Sequence, residues 1–240
     1  MSLKLVTWNI NSLRARADHV AEYLDEHHPH LLLMQEIKME DEAVPWDLFE
    51  DREYWLETHG QKAYNGVATA AWDDELDDIH KGLPGGDDGQ ARLLATTWRG
   101  IRVVNVYCPQ GQSVDSPKFE HKQRFFRTLI DWLGANHDPS EPLILAGDIN
   151  IAPEPTDVWD ADEFGEQVTR HPKELALFGE LLDWGLHDAT RPHLDAGVHT
   201  FWDYRTAAWE RGRGKGRRSA GGRGRGACGR CRTATPWGCC

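Results

Sequence analysis

Leu143 to Pro153 reads LILAGDINIAP, and how this stretch is read decides the fold. It opens with an apolar run, Leu143 to Ala146, of the length and content of a buried strand. Gly147 then lets the backbone turn, and Asp148 and Asn150 project from the carboxyl end of the strand with Ile149 between them. At a period of two, Asp148 and Asn150 face one side while Ile149 and Ile151 face the other. A carboxylate and a carboxamide at the mouth of a buried strand suit a catalytic site in an α/β protein. They equally suit an Asx-rich turn that satisfies its own backbone. The stretch alone does not choose between the two.

The same pattern occurs twice near the N-terminus. Leu3 to Trp8 is a strand candidate ending at Asn9. Ser12 caps a helix over roughly Leu13 to His28, with Leu13, Ala17, Val20, Ala21 and Leu24 on one face, and Pro29 stops it. Leu31 to Met34 is a second apolar strand, ending in Gln35 and Glu36. Two early strands thus deliver Asn9 and Glu36 at their carboxyl ends, where open α/β sheets gather ligands. Beyond them lie a short helix over Val44 to Glu50 and strands at Glu53 to Thr58 and Gly66 to Trp72, joined by a Tyr64-Asn65-Gly66 turn. Asp73 to Gly89 is a solvated acidic loop by composition. Ala91 to Trp98 and Ile101 to Tyr107 flank Arg99-Gly100 as a hairpin, and Cys108-Pro109-Gln110-Gly111 turns at its end. A helix begins at Pro117 and runs to about Asn136, with Phe119, Phe126, Leu129, Ile130 and Leu133 on its apolar face. Downstream, Glu154 to Pro172 is irregular and acidic, Lys173 to Leu182 is a short helix, and His199 to Arg205 is an extended aromatic run.

At 240 residues, 40% of them hydrophobic, the chain can bury one large core. No apolar run approaches the roughly 18 residues of a membrane span, and the N-terminus lacks the basic and apolar regions of a signal peptide. The expectation is a soluble cytoplasmic protein without a membrane partner. The net charge of −12 hides a sharp division. Nine of the 27 bases fall in residues 211–240, which hold no acid, leaving 18 bases against 39 acids in the first 210. So acidic a body repels a polyanion unless local basic groups or bound divalent cations invert the field at the site. Four of the five cysteines (Cys228, Cys231, Cys239, Cys240) lie in the same tail. The body holds only Cys108, and therefore no disulfide. The expected organisation is a domain over residues 1–210 and an Arg/Gly/Cys-rich tail over 211–240. The tail has no apolar periodicity and is expected to be disordered. It could serve as an arginine/glycine-rich nucleic-acid tail. A zinc site on Cys228-x-x-Cys231 with Cys239 and Cys240 has poor ligand spacing.

Taken together, TWNINSLR (Thr7–Arg14), LMQEIK (Leu33–Lys38), YNGVA (Tyr64–Ala68), VYCPQG (Val106–Gly111), LAGDINIAP (Leu145–Pro153), WGLHDATR (Trp184–Arg191) and TFWDYR (Thr200–Arg205) follow one another in a specific order. In that order they resemble the bacterial exonuclease III / apurinic-apyrimidinic endonuclease family, over roughly residues 3–214. The resemblance implies an α/β fold: a four-layer sandwich of two packed β-sheets flanked by helices. It also implies a Mg²⁺-dependent DNA repair nuclease, with Mn²⁺ as an alternative ion. The implied activities are cleavage beside abasic sites, 3′→5′ exonuclease action and removal of 3′ blocking groups. The implied partner is double-stranded DNA with abasic sites or 3′ ends, bound by a monomer. By position, Glu36 resembles the principal metal-ligating carboxylate, with Asn9 beside it. Tyr107 resembles the tyrosine at the scissile phosphate, Asp148 the aspartate that handles a proton, and Asn150 the amide that stabilises phosphoryl charge. Gln110 and Arg205 fall where the family contacts DNA, and Phe201 and Trp202 where it packs aromatics against the deoxyribose or the abasic gap.

The resemblance breaks after Gly214. The family continues there with an Arg-Ile-Asp strand, further strands and a Ser-Asp-His motif whose histidine positions the attacking water or stabilises charge. The only Asp-His dipeptide in this sequence is Asp18-His19, in the first expected helix. His187 and His199 precede the missing region and match no catalytic histidine. The tail's Arg, Gly, Ala and Cys are residues of GC-rich codons, as an out-of-frame translation would give. With its last strands missing, the fold is expected to expose a sheet edge and to aggregate. The alternative function is then an inactive remnant that at most binds DNA through its basic tail. A phosphatase of the same fold, acting on a small phosphorylated substrate, is a third reading.

Overall fold

The computed structural model describes residues 3–193, 201–202 and 214–215, in which short apolar runs alternate with helices. Its elements are β1 (Leu5–Asn9), α1 (Leu13–His27), β2 (Leu31–Gln35), α2 (Asp47–Glu50), β3 (Tyr54–His59) and β4 (Val67–Trp72), then β5 (Asp77–Lys81), β6 (Leu93–Trp98) and β7 (Ile101–Tyr107). These are followed by α3 (Pro117–Asn136), β8 (Leu143–Asp148), α4 (Ala161–Phe164), α5 (Pro172–Asp183), β9 (Phe201–Trp202) and β10 (Gly214–Lys215). The chain divides into two compact units. One holds Met1–Cys108 and Asp131–Ile149, the other Pro109–Ile130 and Asn150–Cys240.

The first unit contains two mixed four-stranded sheets, ordered β1-β2-β4-β3 and β5-β6-β7-β8. In each sheet a single parallel pair, β1 with β2 and β7 with β8, joins antiparallel neighbours. The uninterrupted run of β2 has a simple cause. Leu32 and Met34 pack with Leu13, Val20 and Leu24 of α1, while Leu31 and Leu33 pack with Trp98 and Val103 of the second sheet. A strand buried on both faces loses the apolar–polar alternation of a half-exposed one. Each such leucine contributes about 1.5–3 kcal/mol on burial. At the end of α3, the Trp132 ring stands 5.1 Å from that of His80 on β5. Two packed sheets flanked by helices make the α/β sandwich the sequence implies.

One buried polar bridge sets the two sheets in register. Gln35 Nε2 donates to Asn105 Oδ1 over 2.8 Å, and Asn105 Nδ2 donates to the Ala68 carbonyl at 2.9 Å and the Met34 carbonyl at 3.2 Å. Both side chains are buried, and such groups are costly unless partnered. Gln35 precedes Glu36 and Asn105 lies two residues before Tyr107, so the bridge ties together the strand ends that carry the candidate site.

Several expectations from the sequence need correction. Asp73 to Gly89 is not all loop, because β5 pairs antiparallel with β6 there. Its residues are exposed or half-buried and mostly charged, as suits an edge strand that must not recruit another chain. Gly147 does not turn the chain: it lies inside β8, opposite Val106. Its φ is 143°, and a Cβ there would come within 2.0 Å of the Val106 carbonyl oxygen, so glycine is required by close approach to β7. The alternation of Asp148 with Asn150 also fails. The strand ends at Asp148, and Asn150 takes a left-handed φ of 51°. Within the expected tail, Gly214–Lys215 pairs antiparallel with Phe201–Trp202. The remainder of residues 211–240 lies outside the described residues. β8 is half-buried along its whole length and has a strand neighbour on one side only among the described residues.

The second unit is built around α5. His171 caps it, Pro172 opens it, and Glu174 closes a capping box back onto the His171 amide. Leu177 and Leu181 give its buried face. Arg191 holds the surrounding loops by bidentate pairing with Asp157 at 3.0 Å and 3.0 Å and by a 3.0 Å bond to Asp188.

Candidate active site

Two parallel strand pairs end on the same kind of chemistry. In the first sheet the β1–β2 register sets Asn9 opposite Gln35, with Glu36 the next residue. In the second, the β7–β8 register sets Tyr107 opposite Asp148. Asn9, Glu36, Tyr107 and Asp148 belong to the first unit and all are half-buried.

Asn9 connects the two sheets. Its Nδ2 donates to Glu36 Oε1 over 2.7 Å and to Asp148 Oδ2 over 2.9 Å. A carboxamide nitrogen has two protons, and here one serves each carboxylate. Asn9 Oδ1 accepts the Asn11 amide at 3.2 Å, which fixes the orientation of the amide.

Glu36 itself has a left-handed φ of 54°, an uncommon conformation for a residue with a side chain. Neighbouring backbone holds it there: Ser12 N donates to its carbonyl over 2.7 Å, and Ile37 N donates to the Gly66 carbonyl over 3.1 Å. The Tyr64-Asn65-Gly66 turn therefore backs the glutamate loop as well as joining two strands. A Cβ at Gly66 would meet Ile37 Cγ1 at 2.6 Å. Lys38 stands 2.8 Å from Glu36 Oε2 and donates to Asn11 Oδ1. Burial pushes the Glu36 carboxyl up, but hydrogen bonds from Lys38, Asn9 and Tyr107 outweigh it and hold the carboxyl below the ordinary 4.5.

The Tyr107 hydroxyl is pushed the other way. Burial and then the charges of Glu36 and Asp148 raise its pKa well above the ordinary tyrosine value, so it remains a donor. Arg92 lies beneath it, Cζ 4.7 Å from the ring centroid, with Nη1 donating to the Tyr107 carbonyl over 3.0 Å.

The donor set fits a hard divalent cation. Such an ion takes one or two carboxylates and keeps several waters, and the amide of Asn9 already holds two carboxylate oxygens together. Among the described residues no cluster of three or more His, Cys, Asp and Glu side chains is grouped as a ligand set. Glu36 could hold such a cation, with Asn9 and Asp148 beside it.

Asn150 and Gln110 lie in the second unit. The Asn150 carbonyl accepts from Lys122 Nζ at 2.6 Å. Gln110 is exposed and its Oε1 accepts the Gln112 amide at 2.8 Å. Phe201 and Trp202 form β9 by their backbone, while Arg205 and His199 lie outside the described residues. Asp18 and His19 are exposed on α1, and His187 is exposed with Nδ1 3.1 Å from the Gly185 carbonyl. Lys38 and Arg92 were not singled out from the sequence. Lys38 could have been, because a base two residues after a half-buried acid at a strand end is placed to pair with it.

The chain matches the model of the endonuclease/exonuclease/phosphatase family over residues 6–217. It is 34% identical over 226 residues to exodeoxyribonuclease III of Haemophilus influenzae, covering 88% of this chain and 84% of that one. Among solved structures, it superposes with a TM-score of 0.83 on NExo, a 3′ phosphatase from Neisseria bound to a product DNA hairpin. That protein is 36% identical, with 89% of this chain and 84% of the other covered. An AP endonuclease from Archaeoglobus fulgidus is 34% identical, with a TM-score of 0.82 over 89% of this chain and 83% of its own.

Proposed function

Since the chain belongs to the endonuclease/exonuclease/phosphatase family and is a phosphodiester-hydrolysing nuclease of the exodeoxyribonuclease III kind, we propose that it is a Mg²⁺-dependent DNA repair enzyme. Its substrate is duplex DNA, nicked beside abasic sites and trimmed or cleaned at 3′ ends. One observation carries this reading. Asn9 draws Glu36 and Asp148, from the ends of two different sheets, onto a single amide beside a protonated Tyr107.

Each residue has a distinct task. Glu36, ionised at neutral pH, would hold the cation, and Asn9 orients that carboxylate. When bound, the cation supplies positive charge to the phosphate oxygens. Asp148 takes the proton of the attacking water or returns one to the leaving oxygen. Tyr107 donates its hydroxyl hydrogen bond to the scissile phosphate or its leaving oxygen. Asn150 donates its amide to the phosphoryl oxygens where charge develops. Gln110, Phe201, Trp202 and Arg205 are read as DNA contacts. The reading is tested on a duplex with one abasic site. Nicking in Mg²⁺ that stops on chelation and returns on adding the ion is expected. Nicking at the same rate after chelation would contradict it.

A second reading rests on the sequence beyond Gly214, which lacks an Asp-His motif. In it the chain is an inactive remnant whose nine tail bases bind DNA. Salt-sensitive binding that disappears on deleting residues 211–240, with no nicking by the intact chain, would favour it.

A further inference from the structure

Helix α3 carries a lysine where its apolar face calls for a hydrophobic residue. Lys122 lies three residues after Phe119 and four before Phe126, both buried, and is itself fully buried. Its ammonium has three protons and meets three acceptors: Glu174 Oε1, the Asn150 carbonyl at 2.6 Å and the Gln110 carbonyl at 3.4 Å. Glu174 is fully buried too, at the N-terminus of α5. Its second oxygen accepts the Thr169 amide at 2.8 Å and the His171 amide at 3.0 Å. The Thr169 carbonyl in turn accepts the Ala152 amide at 2.8 Å. The loop after β8 is therefore held at two points, Asn150 by Lys122 directly and Ala152 by Glu174 through Thr169.

An ion pair is a poor way to fill a core. Replacing a buried pair by apolar residues of similar volume is often neutral or stabilising, because desolvation offsets the attraction between the charges. What an apolar pair cannot do is bind two backbone carbonyls and two backbone amides. Those bonds fall on a loop that needs fixing, since Asn150 and Thr169 hold left-handed φ values of 51° and 85°. Left-handed residues persist where their surroundings over-determine them. We propose that Lys122 and Glu174 are positioning residues that hold the Asn150 peptide, and with it the side-chain amide, in the orientation that meets the phosphoryl group. The proposal rests on the reading of Asn150 as the amide that stabilises phosphoryl charge.

The test replaces both charges at once, Lys122→Met with Glu174→Gln, so that neither is left bare in the core. A small misplacement of a catalytic group slows turnover by about 10²-fold. The expected result for the full-length double variant is a kcat on abasic duplex lower by about that factor, with KM within about twofold of the parent. In an Asn150→Ala background the same replacement is expected to give no further loss of kcat. Hydrogen exchange in the metal-free chain supplies a readout apart from activity. The Ala152 amide is expected to exchange at least about tenfold faster while Val104, in the middle of β7, is unchanged. Unchanged kcat, an additive loss in the Asn150→Ala background, unaltered Ala152 exchange, or equal acceleration of Ala152 and Val104 would each overturn the proposal. If Asn150→Ala alone nicks at the parent rate, the reading of Asn150 has failed. If Asn150→Ala is slow but the pair replacement is not, the positioning has failed.

Discussion

Asn9 gives each of its two amide protons to a different carboxylate, and that makes it the residue on which the geometry of the site depends. Without it, the amide that links Glu36 to Asp148 is lost, although Lys38 and Tyr107 still donate to Glu36. Asn9→Ala is expected to lower Mg²⁺-dependent nicking by about 10²-fold through lost orientation. Single-turnover kinetics measure this, and a rate unchanged at saturating Mg²⁺ would show that the amide is dispensable. The strand-end positions of Asn9, Glu36 and Asp148 were legible in the sequence because each follows an apolar run whose length marks a strand, and strand ends gather ligands, while Tyr107 was singled out only through the family resemblance. Lys38 could have been singled out from its spacing to Glu36, but Arg92 could not. The place of Arg92 comes from its position beneath Tyr107, which has no local sequence signature. Lys122 was legible in principle: its spacing from Phe119 and Phe126 puts it on the buried face of its helix.

At the scale of the element, β8 shows how close two strands must come. Gly147→Ala adds a methyl 2.0 Å from the Val106 carbonyl at a φ of 143°. Overpacking and backbone strain together are expected to cost about 3 kcal/mol or more. Urea unfolding checks this, and a midpoint equal to that of the parent would contradict the close approach. The sequence showed β8 as a strand but misread its glycine as a turn, since a glycine required by a neighbouring backbone looks like any other. It likewise missed β5, whose charged composition is that of a loop and whose strand character comes from pairing with β6. The loop carrying Asp188 makes a prediction about pH. Burial raises the Asp188 carboxyl, but Thr190 and Arg191 outweigh it and hold it below 3.8. A depressed carboxyl stabilises the fold above its unfolded value, and the contribution is lost as pH falls through the folded value. Asp188→Asn should therefore be less stable than the parent near neutral pH, with the gap closing well below pH 3.8. A gap that widens on acidification would reverse that sign.

At the scale of the molecule, charge and substrate are opposed. Residues 1–210 carry 18 bases against 39 acids, and the nine bases of residues 211–240 are the largest local excess of positive charge in the sequence. We propose that non-specific attraction to DNA depends on the tail. Its deletion should flatten the dependence of DNA affinity on salt, by about 0.9 in log–log slope for each phosphate that the tail had neutralised. An unchanged slope in a binding titration would assign the phosphate binding to the body. On the proposed reading, Lys38 beside Glu36, Arg92 beneath Tyr107 and a bound cation would invert the acidic field locally, where the backbone of the duplex would come. The central claim is that Glu36 and Asp148 form one catalytic site through Asn9. It is tested most directly by comparing the intact chain with Asp148→Asn on a duplex bearing one abasic site in Mg²⁺. The substitution keeps the shape and removes the group that takes the proton. Nicking by the intact chain that falls by about 10²-fold or more in the variant is the predicted result. Equal nicking by both would contradict a site built on Asp148.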